Sequence, residues 1–450
     1  MLFVTVVFVV IQCMLALIWP KRFVYFALWT QTIPYTWDFD VQNIYDTPVG
    51  PLAIVALQLF GFIFACLLVV ATHFTSVMSQ IRQFKLHALF LLFCAATLVY
   101  TPSAVYGVRM LAKLFAPPLF MFVALSVIDS ESEMRRMTKT ILASGLLLVV
   151  LALYARARGI SVDPNAGQTG IAGLGPPGMG PPVFSAHMLS VTMLAVTLLV
   201  MRPRLSQLLV ALLGILAILG ALQRTSAAAM YAGISLILFL GARGIWRVLL
   251  PLVGICGLPA LFIISDTFRR RMFYSDVDTS QLLSDPSKVL ESINTSGRSN
   301  LWTNMLSKFY SPNSLGGSGI GATQDYLATH MGGATVVHSE YVRLLCEVGL
   351  IGVSLYLLAM IAYLWRFCSY ASKANAPQLR SAGMAAAAAL VTYLVYCCTD
   401  NAFDYVTQFG VYVFALIAIA QKSRQLSEGA HVAATEPIFE QKVLFPNLMR

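Results

Sequence analysis

His338 stands two or three residues ahead of an apolar run that begins near Tyr341. The sequence thereby puts an imidazole beside the N-terminus of a helix. The positive end of a helix dipole disfavours the imidazolium, which leaves a neutral ring able to accept a proton at neutral pH. Such a ring suits a general base, although most lone loop histidines are solvated or capping groups. His330, in the same loop, has no helix start behind it and fits that plainer role. His187 lies inside the apolar run Val183 to Met201, where an imidazole either lines a polar cavity or packs one helix on another.

Arginines supply the second kind of chemistry. Arg224 occupies the turn Gln223 to Ser226 between two apolar runs, too short a connection to reach far into water. An arginine held there needs an anionic partner or must snorkel to lipid headgroups, and both alternatives stand. Arg298 lies in Ser296-Gly297-Arg298-Ser299-Asn300-Leu301-Trp302. Arg156 and Arg158 follow a helix end, where snorkelling suits them, and Arg269 to Arg271 form a headgroup-binding face near Asp266 and Asp276. A guanidinium matches phosphate with a planar, bidentate fork, so several arginines converging on one cavity would hold a diphosphate. Other motifs carry less. Gly316 to Gly321 lacks the preceding strand of a dinucleotide loop and the following membrane helix of an intramembrane serine protease. The eight cysteines include no C-x-x-C, and no His, Cys, Asp or Glu cluster has metal-ligand spacing, so neither a disulfide framework nor a metal site is expected.

These groups must be held by membrane helices. Of the 450 residues, 58% are hydrophobic and 11% charged, against roughly 25% charged in soluble domains. Twelve apolar runs are long enough to span a bilayer: Leu2 to Trp19, Pro51 to Phe74, Leu86 to Tyr100, Met110 to Val127, Thr140 to Tyr154, Val183 to Met201, Gln207 to Leu222, Ala227 to Ala242, Val248 to Ser265, Tyr341 to Trp365, Ser381 to Cys398 and Ala402 to Gln421. Phe23 to Tyr35 is a thirteenth run or an interfacial piece. Basic clusters fall in every second connection, as the positive-inside bias requires. Arg82 and Lys85, Arg135 to Lys139, Arg202 and Arg204, Arg243 and Arg247, Arg366 to Arg380, and Lys422 with Arg424 sort to the inner side. The net charge of +10 therefore reflects topology, and a nucleic-acid partner is not expected. The first run has no preceding basic residue and no cleavage site, so it reads as a retained segment. The expected division is N-terminal membrane helices over 1–265, a large outer loop over 266–340, C-terminal membrane helices over 341–421 and a cytoplasmic tail over 422–450. A loop of 75 residues is longer than a connection needs and points to function.

The segment Arg298 to Gly352 closely resembles the bacterial O-antigen ligase and Wzy-type polysaccharide polymerase superfamily. Its G-R-x-x-x-W element is matched by Gly297, Arg298 and Trp302, and its G-x-G turn by Gly319 and Gly321. Its long H-[NS]-x-Y element entering the next helix is matched by His338, Ser339, Tyr341, Leu345, Glu347, Gly349, Leu350 and Gly352, with Val342 replacing a leucine. Gln223 to Ala227 is similar to the family's S-R-[TG]-A turn, and Gly180 to Ala186 to its G-x-P-N-x-x-A element without the asparagine. The resemblance implies an all-α, GT-C-like bundle in the bacterial inner membrane with its site facing the periplasm. It implies glycosyl transfer without metal or cofactor, moving a glycan from undecaprenyl diphosphate to an acceptor hydroxyl. His338 would be the base, with Arg224, Arg298 and Arg158 on the diphosphate. The wording around His338 is nearer to polymerases, whose acceptor is another lipid-linked glycan, than to ligases, whose acceptor is lipid A core. A transporter of lipid-linked sugars is the rival from another class, and it predicts charges in mid-helix rather than at one face. A membrane acyltransferase built on His187 gains no support from the loop elements.

Overall fold

A computed structural model describes residues 2–30, 51–160, 172–242, 244–252, 257, 297–330 and 336–435. The described residues build an all-helical bundle. In chain order the helices are α1 (Leu2–Ile18), α2 (Pro20–Thr30), α3 (Pro51–Thr72), α4 (Phe74–Ile81), α5 (Lys85–Ala96), α6 (Ala104–Val127), α7 (Glu131–Ala157) and α8 (Pro181–Met201). They continue as α9 (Leu205–Gly220), α10 (Arg224–Gly241), α11 (Arg298–Met305), α12 (Ala322–His330), α13 (Glu340–Lys373), α14 (Pro377–Tyr396) and α15 (Val411–Thr435). Among the described residues, 8 helices are long and apolar enough to cross a membrane, and three shorter apolar helices lie at Thr5–Ile18, Leu57–Thr72 and Leu205–Gly220. The chain is a multi-pass membrane protein. Eleven of the expected runs coincide with these helices, while most of Val248 to Ser265 lies outside the described residues.

Three boundaries differ from expectation. The connection between the second and third runs is itself helical, formed by α4 and the 3₁₀ turn Arg82–Phe84. The run that begins at Phe23 lies, as far as Thr30, in the short helix α2, whose Phe23, Val24, Ala27 and Leu28 are buried against the bundle, and its remainder to Tyr35 lies outside the described residues. The last helix runs past Gln421 to Thr435, steadied by Arg424 pairing with Glu428 one turn on at 2.6 Å and donating to the Tyr370 hydroxyl at 2.9 Å.

The centre of the bundle is α14, packed against α8, α10, α13 and α15. Its sequence explains that position. Ala385 to Ala389 are five consecutive buried alanines, and small side chains let helix backbones approach closely where no water drives association. The two ends of the helices differ in kind. At one end, Arg366 donates to the carbonyl of Gln83 at 3.0 Å, Gln421 to Gln83 at 2.7 Å, and Lys21 pairs with Asp129 at 2.8 Å. These contacts lie among the basic clusters sorted to the inner side. The opposite ends of the same helices carry Thr101, Lys113, Arg224, Glu340 and Thr399, and there residues 297–330 and 336–339 pack.

Candidate functional site

The segment 297–330 is sewn into the bundle through a break in α13. Gly349 holds φ 63°, ψ −168° inside that helix, so the regular hydrogen-bond ladder stops there. The freed groups pair with the chain 314–319. Ser318 and Gly319 donate to the carbonyls of Cys346 and Glu347 at 2.9 Å each, and Leu350 and Ile351 donate back to Ser314 and Leu315 at 2.8 and 3.2 Å. A Cβ on Gly349 would sit 2.3 Å from the Leu315 oxygen, and one on Gly317, at φ 70°, 2.5 Å from the Glu347 carbonyl. Backbone this irregular survives beside lipid only where its polar groups are satisfied by protein. Buried Glu347 completes the join, accepting from the Thr323 hydroxyl and from the amides of Gly321 and Thr323 at the start of α12.

The G-R-x-x-x-W element does two jobs on one helix. Gly297, left-handed at φ 74°, opens α11. Arg298, the first helical residue, donates to the Thr399 carbonyl. One turn later the Trp302 indole N–H donates to the Val337 carbonyl at 2.8 Å, fixing the backbone next to His338. Around that bond Met305, Phe309, Leu327, Val337 and Cys346 form a small apolar core of their own.

His338 immediately precedes Ser339, the N-cap of α13. Its φ is 59°, and among the described non-glycine residues only Leu222 shares a positive φ. Left-handed backbone at a histidine costs on the order of 1 kcal/mol or more and persists only when its surroundings impose it. Asn401 does so: its Oδ1 accepts the His338 backbone N–H at 3.0 Å, and its Nδ2 lies 3.2 Å from the ring Nδ1. Burial, reinforced by Arg298 and Arg343 and opposed by Asp404, pushes the imidazole down from 6.5 to about 4. The ring is neutral at neutral pH, as its place at a helix start suggested, with burial as the larger cause.

Asn401 belongs to the turn between α14 and α15, which gathers the whole site. Thr399 accepts from Arg298 through its carbonyl and shares a 2.7 Å hydroxyl hydrogen bond with Thr225, the neighbour of Arg224 at the start of α10. Ser226 in turn meets Ser185 of α8 at 2.7 Å, and Tyr396 donates to the Pro182 carbonyl at 3.1 Å. Asp400 accepts from the Asn401 amide at 2.8 Å and from the Tyr405 hydroxyl at 3.4 Å. Burial raises its carboxyl, against the Asn401 amide and Arg298, which favour the ion. Asp404 closes a buried charge network: it pairs with Lys113 and, at 3.0 Å, with Arg343, which reaches Glu340 at 3.2 Å. Burial alone would raise the Asp404 carboxyl, yet Arg343 and Lys113 hold it well below the usual carboxylate range. Glu340 also accepts the Phe403 amide at 2.8 Å and donates its own amide to the Cys397 carbonyl at 2.9 Å. The start of α13 and the 397–405 turn are thereby one rigid unit.

Of the four site residues expected from sequence, His338 and Arg298 are near neighbours, and Arg224 starts the helix whose Thr225 meets Thr399. Arg158 does not join them through any contact among the described residues; it is exposed at the end of α7. Arg269 to Arg271 lie outside the described residues. His187 packs helices, its Nδ1 3.0 Å from the Gln408 carbonyl and its ring edge-on to Tyr412 at 4.3 Å. His330 stacks on Tyr326 at 4.7 Å, in keeping with a plain role. Thr399, Asp400, Asn401 and Asp404 are absent from the sequence-derived site. Their signal was two acids and an asparagine packed into the six-residue connection Thr399 to Asp404 between two apolar runs.

Residues 208–357 match the family model described as O-Antigen ligase. That stretch carries the domain of the O-antigen ligase and Wzy superfamily, and it holds Arg224, Arg298 and His338 while stopping short of the turn that gathers them. A search of the curated proteins finds no match to the chain. The match points to glycan transfer of the O-antigen ligase and polymerase type in general.

Proposed function

We propose, from the O-antigen ligase domain and the site it contains, that the protein polymerises a bacterial surface glycan. It would act at the periplasmic face of the inner membrane, moving a glycan from undecaprenyl diphosphate onto a hydroxyl of a second lipid-linked glycan. The observation that carries this reading is the meeting of His338 with Arg298 and the Arg224 helix start on one buried turn. Donors aimed at one place can meet the charge that develops on a leaving diphosphate, and arginines offset that charge where a metal ion otherwise would. We assign His338 as the catalytic residue and Arg224 and Arg298 to the diphosphate, with Arg158, apart from them at the end of α7, as the further candidate for that group. The apolar faces between helices suit the isoprenoid tail.

The family description, O-Antigen ligase, favours a second reading in which the acceptor is lipid A core. A deletion strain separates the two. Accumulation of single lipid-linked repeats supports polymerisation; full-length polymer retained on undecaprenyl diphosphate, with lipopolysaccharide uncapped, supports ligation. Replacing His338 by alanine should abolish glycan output with the protein still in the membrane, and normal output from that variant would end both readings.

A further inference from the structure

We infer that His338 meets the substrate as a hydrogen-bond donor through Nε2–H, held in that proton form by Asn401, and is not the proton acceptor of the reaction. The inference rests on the reading above that His338 is catalytic, and it specifies what the ring does. Asn401 Oδ1 accepts the His338 backbone N–H at 3.0 Å, which decides which end of the amide faces the ring. That end is Nδ2, 3.2 Å from Nδ1. An amide nitrogen only donates, so Nδ1 is the acceptor. A neutral imidazole with a bare Nδ1 carries its proton on Nε2. Turning the amide over would set its NH₂ against the backbone N–H. Asp400 adds a second constraint, because its Oδ1 lies 3.5 Å from Asn401 Nδ2 and offers that nitrogen an acceptor on its other flank.

The charged groups around the ring are Arg298 of α11, Arg343 of α13 and Asp404 of the turn, with Asp400 acting through Asn401. Burial and the two arginines keep the ring neutral, and a group held down to about 4 is poorly matched to accept protons at neutral pH. No described residue occupies Nε2, so the donor remains for the substrate. In the transfer, the acceptor oxygen bonds to the anomeric carbon as the bond from that carbon to the phosphate oxygen breaks. The bonding pair leaves on the diphosphate. The hydroxyl proton passes to an oxygen of that diphosphate, giving a new glycosidic bond and a protonated lipid diphosphate. His338 keeps its own proton throughout and hydrogen-bonds the diphosphate as its charge grows.

Full-length variants in membranes, supplied with lipid-linked glycan extracted from a deletion strain and assayed from about pH 5.5 to 8.5, test this. In Asn401→Asp the new carboxylate accepts from Nδ1–H, moving the proton to Nδ1, baring Nε2 and raising the ring's pKa. Turnover at about pH 7.5 should fall at least about ten-fold and recover as the pH drops, since the imidazolium regains Nε2–H. Turnover at or above wild type that declines on acidification would overturn the proposal. If that variant does not accumulate in the membrane, His338→Gln decides: its amide donates but does not titrate. Activity clearly above that of His338→Ala supports the donor role, and activity equal to it refutes that role. Wild-type turnover by His338→Ala would instead overturn the catalytic assignment itself.

Discussion

Arg298 is held by its fork, not merely by its charge. One arm donates to the Thr399 carbonyl while the guanidinium stands beside His338. Lysine cannot serve both directions, so Arg298→Lys should lower turnover about ten- to hundred-fold at unchanged protein level, measured in membranes with extracted lipid-linked glycan. His338 also leaves a mark on stability. Its folded pKa, about 4, lies below the ordinary 6.5, so the native state resists protonation. Stability is therefore complete above 6.5 and is lost as pH falls through 6.5 toward 4, where the unfolded chain takes up the proton first. Melting curves of purified wild type should drop more steeply across that window than those of His338→Gln. At this scale His338 and Arg224 stood out in the sequence because titratable and charged groups beside apolar runs need partners, and Arg298 through its G-R-x-x-x-W element. Asn401 and Thr399 did not, because what they contribute is an amide, a carbonyl and a hydroxyl, which only folding brings against His338, Arg298 and Thr225.

The break in α13 governs the middle scale. An alanine at Gly349 would need a left-handed φ of 63° and would push its Cβ to 2.3 Å from the Leu315 oxygen. Gly349→Ala should cost at least about 2 kcal/mol and lower the melting temperature of the purified protein by several degrees. Loss of glycan output should accompany it, because the strand-like join between 314–319 and 346–351 fixes the loop that carries Trp302 and His338. The sequence showed the glycines and the helix but not their relation. Periodicity reports which residues face lipid or core, and it runs on undisturbed through Val348, Leu350 and Ile351. A helix interruption whose hydrogen bonds are taken over by a segment thirty residues away leaves no periodic trace. The short helices α11 and α12 were hidden for a related reason, since α11 is set by Gly297 and by Trp302 reaching Val337, contacts that no local pattern encodes.

At the scale of the whole molecule, sorting the basic residues by side anticipated which helix ends would meet. Cys398 is exposed at the site end, whereas Cys66, Cys94, Cys346 and Cys397 are buried. If that end faces the periplasm, a membrane-impermeant maleimide added to spheroplasts should label wild type more strongly than Cys398→Ser; equal labelling would reverse the orientation. The buried network ties the two halves of the chain across the same end. Asp404→Asn would leave Lys113 and Arg343 enclosed together without their shared carboxylate, a loss of about 3–5 kcal/mol readable as a fall in membrane-inserted protein or in melting temperature. The 397–405 turn thereby touches Arg298, Thr225, His338, Glu340 and Lys113 at once. Evolution at such a hub is strongly epistatic. Asn401 and His338 substitutions should not add, and the double variant should be scarcely worse than the more damaged of its parents. Changes of glycan preference among related sequences should then arise in the surrounding helices and outer segment, with the turn changing only in concert with its partners or not at all.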